Sequence, residues 1–261
     1  GRPVIGPPGM SPDRTKVLRD AFARTMSDPE LLAEVKKREW EANGLPAEEL
    51  EALAEVFRKH PHIYILADEI YEYINYCSCH ESIAVIESLK ERTIVINGLS
   101  KGFAMTGWRL GFLAAPKEIA KACEKLQGQF TSGANAVTQR AAIVALTSPL
   151  DATQAMVKEF EKRKNRVIEL MRGIEGFEFT EPDGAFYAFP CVDHYFGKKD
   201  GDAVIQNADD LCMYLLNKGH VSTVTGSAFG DEKCIRLSFA NNMQNIEKGF
   251  ERIKQALAQL K

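Results

Sequence analysis

Asn97-Gly98-Leu99-Ser100-Lys101-Gly102-Phe103-Ala104-Met105-Thr106-Gly107-Trp108-Arg109-Leu110-Gly111-Phe112 sets one lysine after a serine and one arginine eight residues further on, in a stretch punctuated by glycine. The run before it, Thr93-Ile94-Val95-Ile96, is apolar and rich in β-branched residues, as in a strand buried on both faces. A lysine just past such a strand, in a glycine-flanked turn with an arginine, reads as an anion site with an amine beside it. Ser100 and Arg109 can give a phosphate a hydroxyl and a bidentate guanidinium. Lys101, partly desolvated and close to other cations, suits a nucleophilic amine. For an isolated Ser-Lys pair the plainer reading is a solvated strand-end lysine and a surface arginine.

Thirty-three residues upstream of Lys101, Ala67-Asp68-Glu69-Ile70-Tyr71-Glu72-Tyr73 closes a second apolar run, Ile63 to Ala67. Asp68 therefore falls at the C-terminal end of a strand, where open α/β sheets bind ligands. Alone it could equally be a helix cap. Paired with a lysine from a neighbouring strand end, it fits pyridoxal 5'-phosphate, whose pyridinium nitrogen needs an anion to stay protonated and act as an electron sink. Leu50, Leu53, Ala54 and Phe57 recur at helical spacing and predict a helix from about Ala47 to Lys59, and Leu110 to Ala115 is a third strand candidate. Helix, strand, strand, strand in this order indicates an α/β layer.

After Pro116 the pattern is mostly helical to Gly173, which falls where a helix C-cap would. Short strands are expected at Phe177 to Thr180, Ala185 to Phe189, Val221 to Val224 and Ile235 to Ala240, with a helix near Ala208 to Asn217. Ile246, Phe250, Ile253, Leu257 and Leu260 form the stripe of a last helix. This second half reads as a smaller α+β domain. At the other end, Ser11 to Arg38 is helical in pattern, with Ser11-Pro12 and Asp28-Pro29 as start signals, and Gly44-Leu45-Pro46 breaks it.

The 261 residues carry a formal charge of -3, with 45% hydrophobic and 26% charged side chains. Collagen-like, disordered and disulfide-scaffold classes are excluded, as is a basic footprint for nucleic acid. No apolar run approaches a membrane span of roughly 18 residues. Six scattered cysteines are expected as reduced thiols of a cytoplasmic protein, and five histidines without metal-ligand spacing imply no metal. The opening GRPVIGPPGMSP lacks a charged region followed by an apolar one, so no signal peptide is expected there.

From about Glu48 to the C-terminus the sequence resembles the fold-type I, class I/II pyridoxal-phosphate aminotransferases, most of all their aspartate aminotransferase branch. The motifs that carry the resemblance are DEIYEY (68–73), NGLSKGFAMTGWRLGF (97–112), PDGAFYAFP (182–190), GSAFG (226–230) and CIRLSFA (234–240). The resemblance implies that Lys101 forms the Schiff base with pyridoxal phosphate. It implies further that Asp68 holds the pyridine nitrogen, Tyr71 the phenolic oxygen, Ser100 and Arg109 the phosphate, and Arg236 the substrate α-carboxylate. Arg236 has the planar fork that matches a carboxylate; without the other motifs it would read as a strand arginine facing solvent. The function implied is transfer of an amino group between an aspartate-like amino acid and a 2-oxo acid, in a homodimer. Alternatives are a remnant without full competence, or another reaction of the same cofactor such as a β-lyase.

Complete members of that family carry a long segment before the strand that ends at Asp68, including the phosphate cradle, a ring-stacking aromatic residue and most sheet strands. Here that place is taken by residues 1–41, which are similar to the C-terminal part of the solute-binding proteins of tripartite tricarboxylate transporters. A chimeric, N-terminally truncated chain is therefore expected. Its parts would be a foreign helical segment (1–45), a partial cofactor-binding large domain with three candidate strands (46–150) and a C-terminal α+β small domain (151–261). Such a partial sheet would expose apolar faces and open edges. Thr225 stands where the family has proline, and Cys77 and Cys79 have no assigned role.

Overall fold

The computed structural model describes residues 47–77 and 80–261, so the expectations for residues 1–45 and for Cys79 lie outside the described residues. The chain divides into two compact units on either side of the Thr153–Gln154 bond.

In the first unit α1 (Ala47–Lys59) matches its expected range, and Leu50 and Ala54 on its apolar stripe are buried with Ile65, Ile83 and Leu89. The helix end is tied by Arg92. Its guanidinium donates to the Ile63 carbonyl at 2.7 Å, to His60 at 3.0 Å and to Phe57. A cation on carbonyls that lack helical partners offsets their desolvation and suits the negative helix end. The sheet follows: β1 (Ile65–Asp68), β2 (Thr93–Gly98) after the short α2 (Glu87–Lys90), and β3 (Gly111–Ala114). β1 and β2 are parallel, with Asp68 opposite Ile96, whereas β3 runs antiparallel to β2, with Gly111 opposite Gly98. The helices α3 (Lys117–Phe130), α4 (Ala136–Thr147) and the start of α5 (Asp151–Arg172) complete the unit.

The expectation of strands buried on both faces is corrected. Leu66 is 64% and Phe112 48% exposed, and Ile96 and Leu113 are also open. The first core cluster draws on α1, β1, the turn at Ile83 and Leu89 of α2, so the alternate side chains of β1, pointing the other way, meet nothing comparable among the described residues. The partial sheet thus shows the exposed apolar face that its strand count leads one to expect.

The second unit is α+β. Its three-stranded antiparallel sheet has the order β4 (Tyr187–Ala188), β8 (Ile235–Ser238), β7 (Val224–Thr225), and β5 (Lys199–Asp200) pairs with β6 (Ala203–Val204) in a separate hairpin. Helices α6 (Ala208–Gly219) and α7 (Met243–Leu257) bury Leu211, Leu215, Ile246, Phe250 and Ile253. All four expected strands are shorter than their expected ranges: Ala185 to Phe189 pairs only at Tyr187–Ala188, Ile235 to Ala240 ends at Ser238, and the other two shrink furthest. Phe177 to Thr180 keeps only the bridge between Glu178 and Cys191, and Val221 to Val224 contributes Val224 alone to β7. The β5–β6 hairpin has no counterpart in the sequence reading. Asn242 caps α7, its side chain accepting from the Asn245 amide at 2.8 Å. Asn242→Ala should cost about 1 kcal/mol in equilibrium urea unfolding, with the m-value unchanged.

Candidate functional site

Two loops leave the sheet at the C-terminal ends of its parallel pair. Beyond β1 the ladder continues one step, Glu69 N–H donating to the Ile96 carbonyl at 2.8 Å, before the chain turns through Tyr71 and Tyr73. Asp68 ends the strand exposed, and its carboxylate accepts from the Ile70 amide at 3.4 Å. Beyond β2 the Ser100–Phe103 loop is pinned at its base, where Leu99 donates to Leu110 and accepts from the Met105 amide. Only glycine fits at position 102. A Cβ there would lie 2.5 Å from Cδ2 of Tyr73, and the Gly102 carbonyl accepts from the buried Thr153 hydroxyl at 3.0 Å. Tyr73 meets Phe103 edge to face at 5.1 Å, which packs the two loops together.

This packing brings Lys101 over Tyr71. The ammonium sits 5.7 Å from the ring centroid, within cation–π range. Ser100 and Arg109 are joined through one residue. The Thr106 hydroxyl donates to the Ser100 carbonyl at 3.0 Å, and Nη1 of Arg109 donates to the Thr106 carbonyl at 3.1 Å. Arg109 itself has φ +54° and ψ +51°, a left-handed conformation costing a non-glycine residue about 1–3 kcal/mol. The turn over-determines it: Trp108 N–H donates to Met105, and the Trp108 carbonyl accepts from Thr138 at 3.2 Å. Thr106 and Thr138 are positioning residues to which the sequence reading assigns no role. The Thr-Gly before Trp-Arg was the available signal for the first, and none pointed to the second.

Arg236 lies in the second unit, on β8. Its guanidinium carbon is 4.3 Å from the ring centroid of Tyr187 and 4.1 Å from that of Phe229, so two aromatic faces fix the fork. Tyr187 comes from β4 and Phe229 from the one-turn 3-10 helix Gly226–Phe229, within the PDGAFYAFP and GSAFG motifs respectively. Thr225, the departure from proline, caps that turn through its hydroxyl, which accepts from the Ser227 amide.

Behind the Asp68 strand end, Glu69 accepts from the Ser82 hydroxyl at 2.6 Å and stands 3.2 Å from Nε2 of His80, an ion pair without hydrogen-bond alignment. Burial pushes the Glu69 carboxyl up, but His80 and Ser82 outweigh it and hold it below its ordinary value; Glu69, against burial and with help from Glu72 and Glu81, raises His80. The His80 contribution is complete below the unfolded value of 6.5 and is lost as pH rises through the folded one. The Glu69 contribution is complete above 4.5 and is lost as pH falls. Stability from the pair should therefore be flat between those values and decline on both sides. His80→Gln should remove the alkaline decline, read as the unfolding midpoint from pH 6 to 9.

A model of "Aminotransferase class I and II" matches residues 43–253. The chain is 43% identical over 221 residues to a bifunctional aspartate aminotransferase and glutamate/aspartate-prephenate aminotransferase of Petunia hybrida, covering 83% of this chain and 46% of that protein. It is 40% identical to an aspartate aminotransferase of Pinus pinaster, covering 83% and 45%. Among solved structures, the aspartate aminotransferase of Rhizobium meliloti superposes with a TM-score of 0.80 at 36% identity, over 84% of this chain and 56% of that one. The chain thus spans about half the length of the curated relatives it matches.

Proposed function

The chain belongs to the class I and II aminotransferases, and from that membership we propose that it serves amino-group transfer between an aspartate-like amino acid and a 2-oxo acid. The observation that carries the reading is the approach of Lys101 to Tyr71 in the loops that leave two adjacent parallel strands, the first of which ends at Asp68. Pyridoxal phosphate suits this donor set: an amine for its aldehyde, a carboxylate for its ring nitrogen, a phenol for its phenolic oxygen, and a hydroxyl and a guanidinium for its phosphate. When bound, the cofactor supplies an electron sink for the substrate's Cα carbanion.

The chain's own residues would then divide the work. Lys101 would hold the cofactor through its amine and would move the proton at the substrate Cα as base and then acid. Asp68 would hold the pyridine nitrogen, its carboxylate favouring the protonated ring. Tyr71 would donate to the phenolic oxygen, and its ring keeps the lysine ammonium near. Ser100 and Arg109 would take the phosphate, with Arg109 held in place by its over-determined turn. Arg236 would bind the substrate α-carboxylate, its plane set by Tyr187 and Phe229. The reading includes a homodimer, on the strength of the family, and a cytoplasmic location, on the strength of the scattered cysteines. It also includes a foreign origin for residues 1–41, supported by a family match that begins only at residue 43.

A second reading, a chain that captures the cofactor but does not turn over, is favoured by the apolar sheet face left open among the described residues, with Leu66 and Phe112 exposed. Borohydride reduction of protein mixed with pyridoxal phosphate, followed by tryptic mapping, tests both. Both expect the label on Lys101, in the uncleaved peptide 93–109. Formation of glutamate from aspartate and 2-oxoglutarate selects the first reading and its absence the second, whereas a protein unlabelled at Lys101 contradicts both.

A further inference from the structure

We propose that Cys191 and Cys234 form a redox-active cross-strand dithiol that closes to a disulfide on the face of the sheet that carries Arg236. The two residues pair directly across an antiparallel bridge. The hydrogen bonds on either side, Val192 N–H to Lys233 and Ile235 N–H to Pro190, bracket the pair without joining it. That is the non-hydrogen-bonded position of an antiparallel ladder, where Cα atoms come within about 4.5 Å and side chains are closest, inside the range a disulfide accepts.

The register extends without a bulge. Tyr187 pairs with Ser238 and Ala188 with Leu237, so Phe189 falls opposite Arg236 and Cys191 opposite Cys234. With a side-chain period of 2, Cys234 and Arg236 share one face of β8, across from Tyr187, Phe189 and Cys191. The dithiol is therefore next in register to Arg236 and Phe189, and the Phe189 ring meets Phe229 edge to face at 6.2 Å. Both ends of the bridge are anchored further: Cys191 exchanges both backbone hydrogen bonds with Glu178, and the Cys234 carbonyl accepts from Gly226 at 2.7 Å. The two Cβ atoms are thus held against one another by strands on either side.

The oxidant required is a low-molecular-weight disulfide such as oxidised glutathione. Cys191, half-buried where Cys234 is buried, is the thiol that attacks first. Its sulfur bonds to one glutathione sulfur and the other leaves as a thiol. Cys234 then displaces the second glutathione, so that two electrons and two protons pass from the protein to glutathione. Burial raises both thiols, Cys234 the more, and Asp231 and Asp193 add negative charge nearby while the Lys233 ammonium pairs with Asp193. The exchange should be slow at neutral pH and gain close to tenfold per pH unit toward alkaline pH, because the thiolate is the nucleophile.

The test is a titration of the full chain in mixtures of reduced and oxidised glutathione, quenched in acid, alkylated and digested with trypsin without reductant. Cleavage after Arg172, Lys198, Lys233 and Arg236 leaves Cys191 in peptide 173–198 and Cys234 in peptide 234–236. The expected product is these two peptides joined, lost on reduction, with a melting temperature that rises on oxidation and returns with dithiothreitol. Cys234→Ser and the less buried Cys191→Ser should each abolish the link, so one folded variant suffices. Both cysteines alkylated across the whole titration, or linked elsewhere, would overturn the proposal.

Discussion

Lys101→Ala should eliminate pyridoxal phosphate labelling of peptide 93–109 and leave the fold intact. The ammonium lies over the Tyr71 ring at 5.7 Å, and the backbone of its loop is set by Leu99, Gly102 and Thr153 rather than by the lysine side chain. The half-exposed cation–π contact by itself is worth less than about 1 kcal/mol of stability. Any turnover of aspartate with 2-oxoglutarate should fall by at least about 10²–10⁴-fold, the range for a lost proton-transfer group, and further because the covalent attachment goes with it. Stopped assays of glutamate formation, with circular dichroism as the control for folding, give the comparison. Undiminished turnover in the alanine variant would move the chemistry to another residue.

Gly226→Ala should be the most destabilising small substitution in the second unit. A Cβ at that buried position would lie 2.2 Å from the Asp231 carbonyl oxygen and 2.4 Å from that of Cys234. Neither atom can swing aside as a side-chain tip would. Both belong to the turn closed by Gly226 N–H to Cys234 at 2.7 Å and Asp231 N–H to Gly226 at 3.1 Å. Forcing that turn open should cost about 3 kcal/mol, at the upper end of the usual range for overpacking. It should also loosen Phe229, three residues on, and with it one of the two faces that hold Arg236. Gly249→Ala is the contrast: it meets nothing within 4 Å in the middle of α7 and should stabilise by about 0.5–1 kcal/mol. Parallel urea melts of the two variants should move in opposite directions, and equal midpoints would show that the Gly226 turn opens freely.

The elements legible in the sequence are those whose signal is local. α1 and α7 announce themselves through apolar side chains at helical spacing, and β1 and β2 through runs of β-branched residues. The β5–β6 hairpin has only its Gly201-Asp202 turn, with Gly201 at φ +59°, to mark it. A Lys-Asp/Ala-Val pair is neither apolar nor alternating, so pattern reading passes over it. The shrinkage of the Phe177 strand to one bridge has the opposite cause: residues of sufficient β propensity found a partner only at Cys191.

The candidate site divides in the same way. The residues that would carry the chemistry, Asp68, Tyr71, Ser100, Lys101, Arg109 and Arg236, are named by the sequence, because each stands in a motif whose residue types fit one chemical task. What the sequence alone determined is therefore the family and the order of most of its elements, together with the residues proposed to react. Only the tertiary structure decided that Thr106 joins Ser100 to Arg109, that Tyr187 and Phe229 flank the guanidinium, and that Cys191 faces Cys234. Those relations depend on strand register and loop packing between residues up to 49 positions apart, and a spacing along the chain carries no register across a sheet.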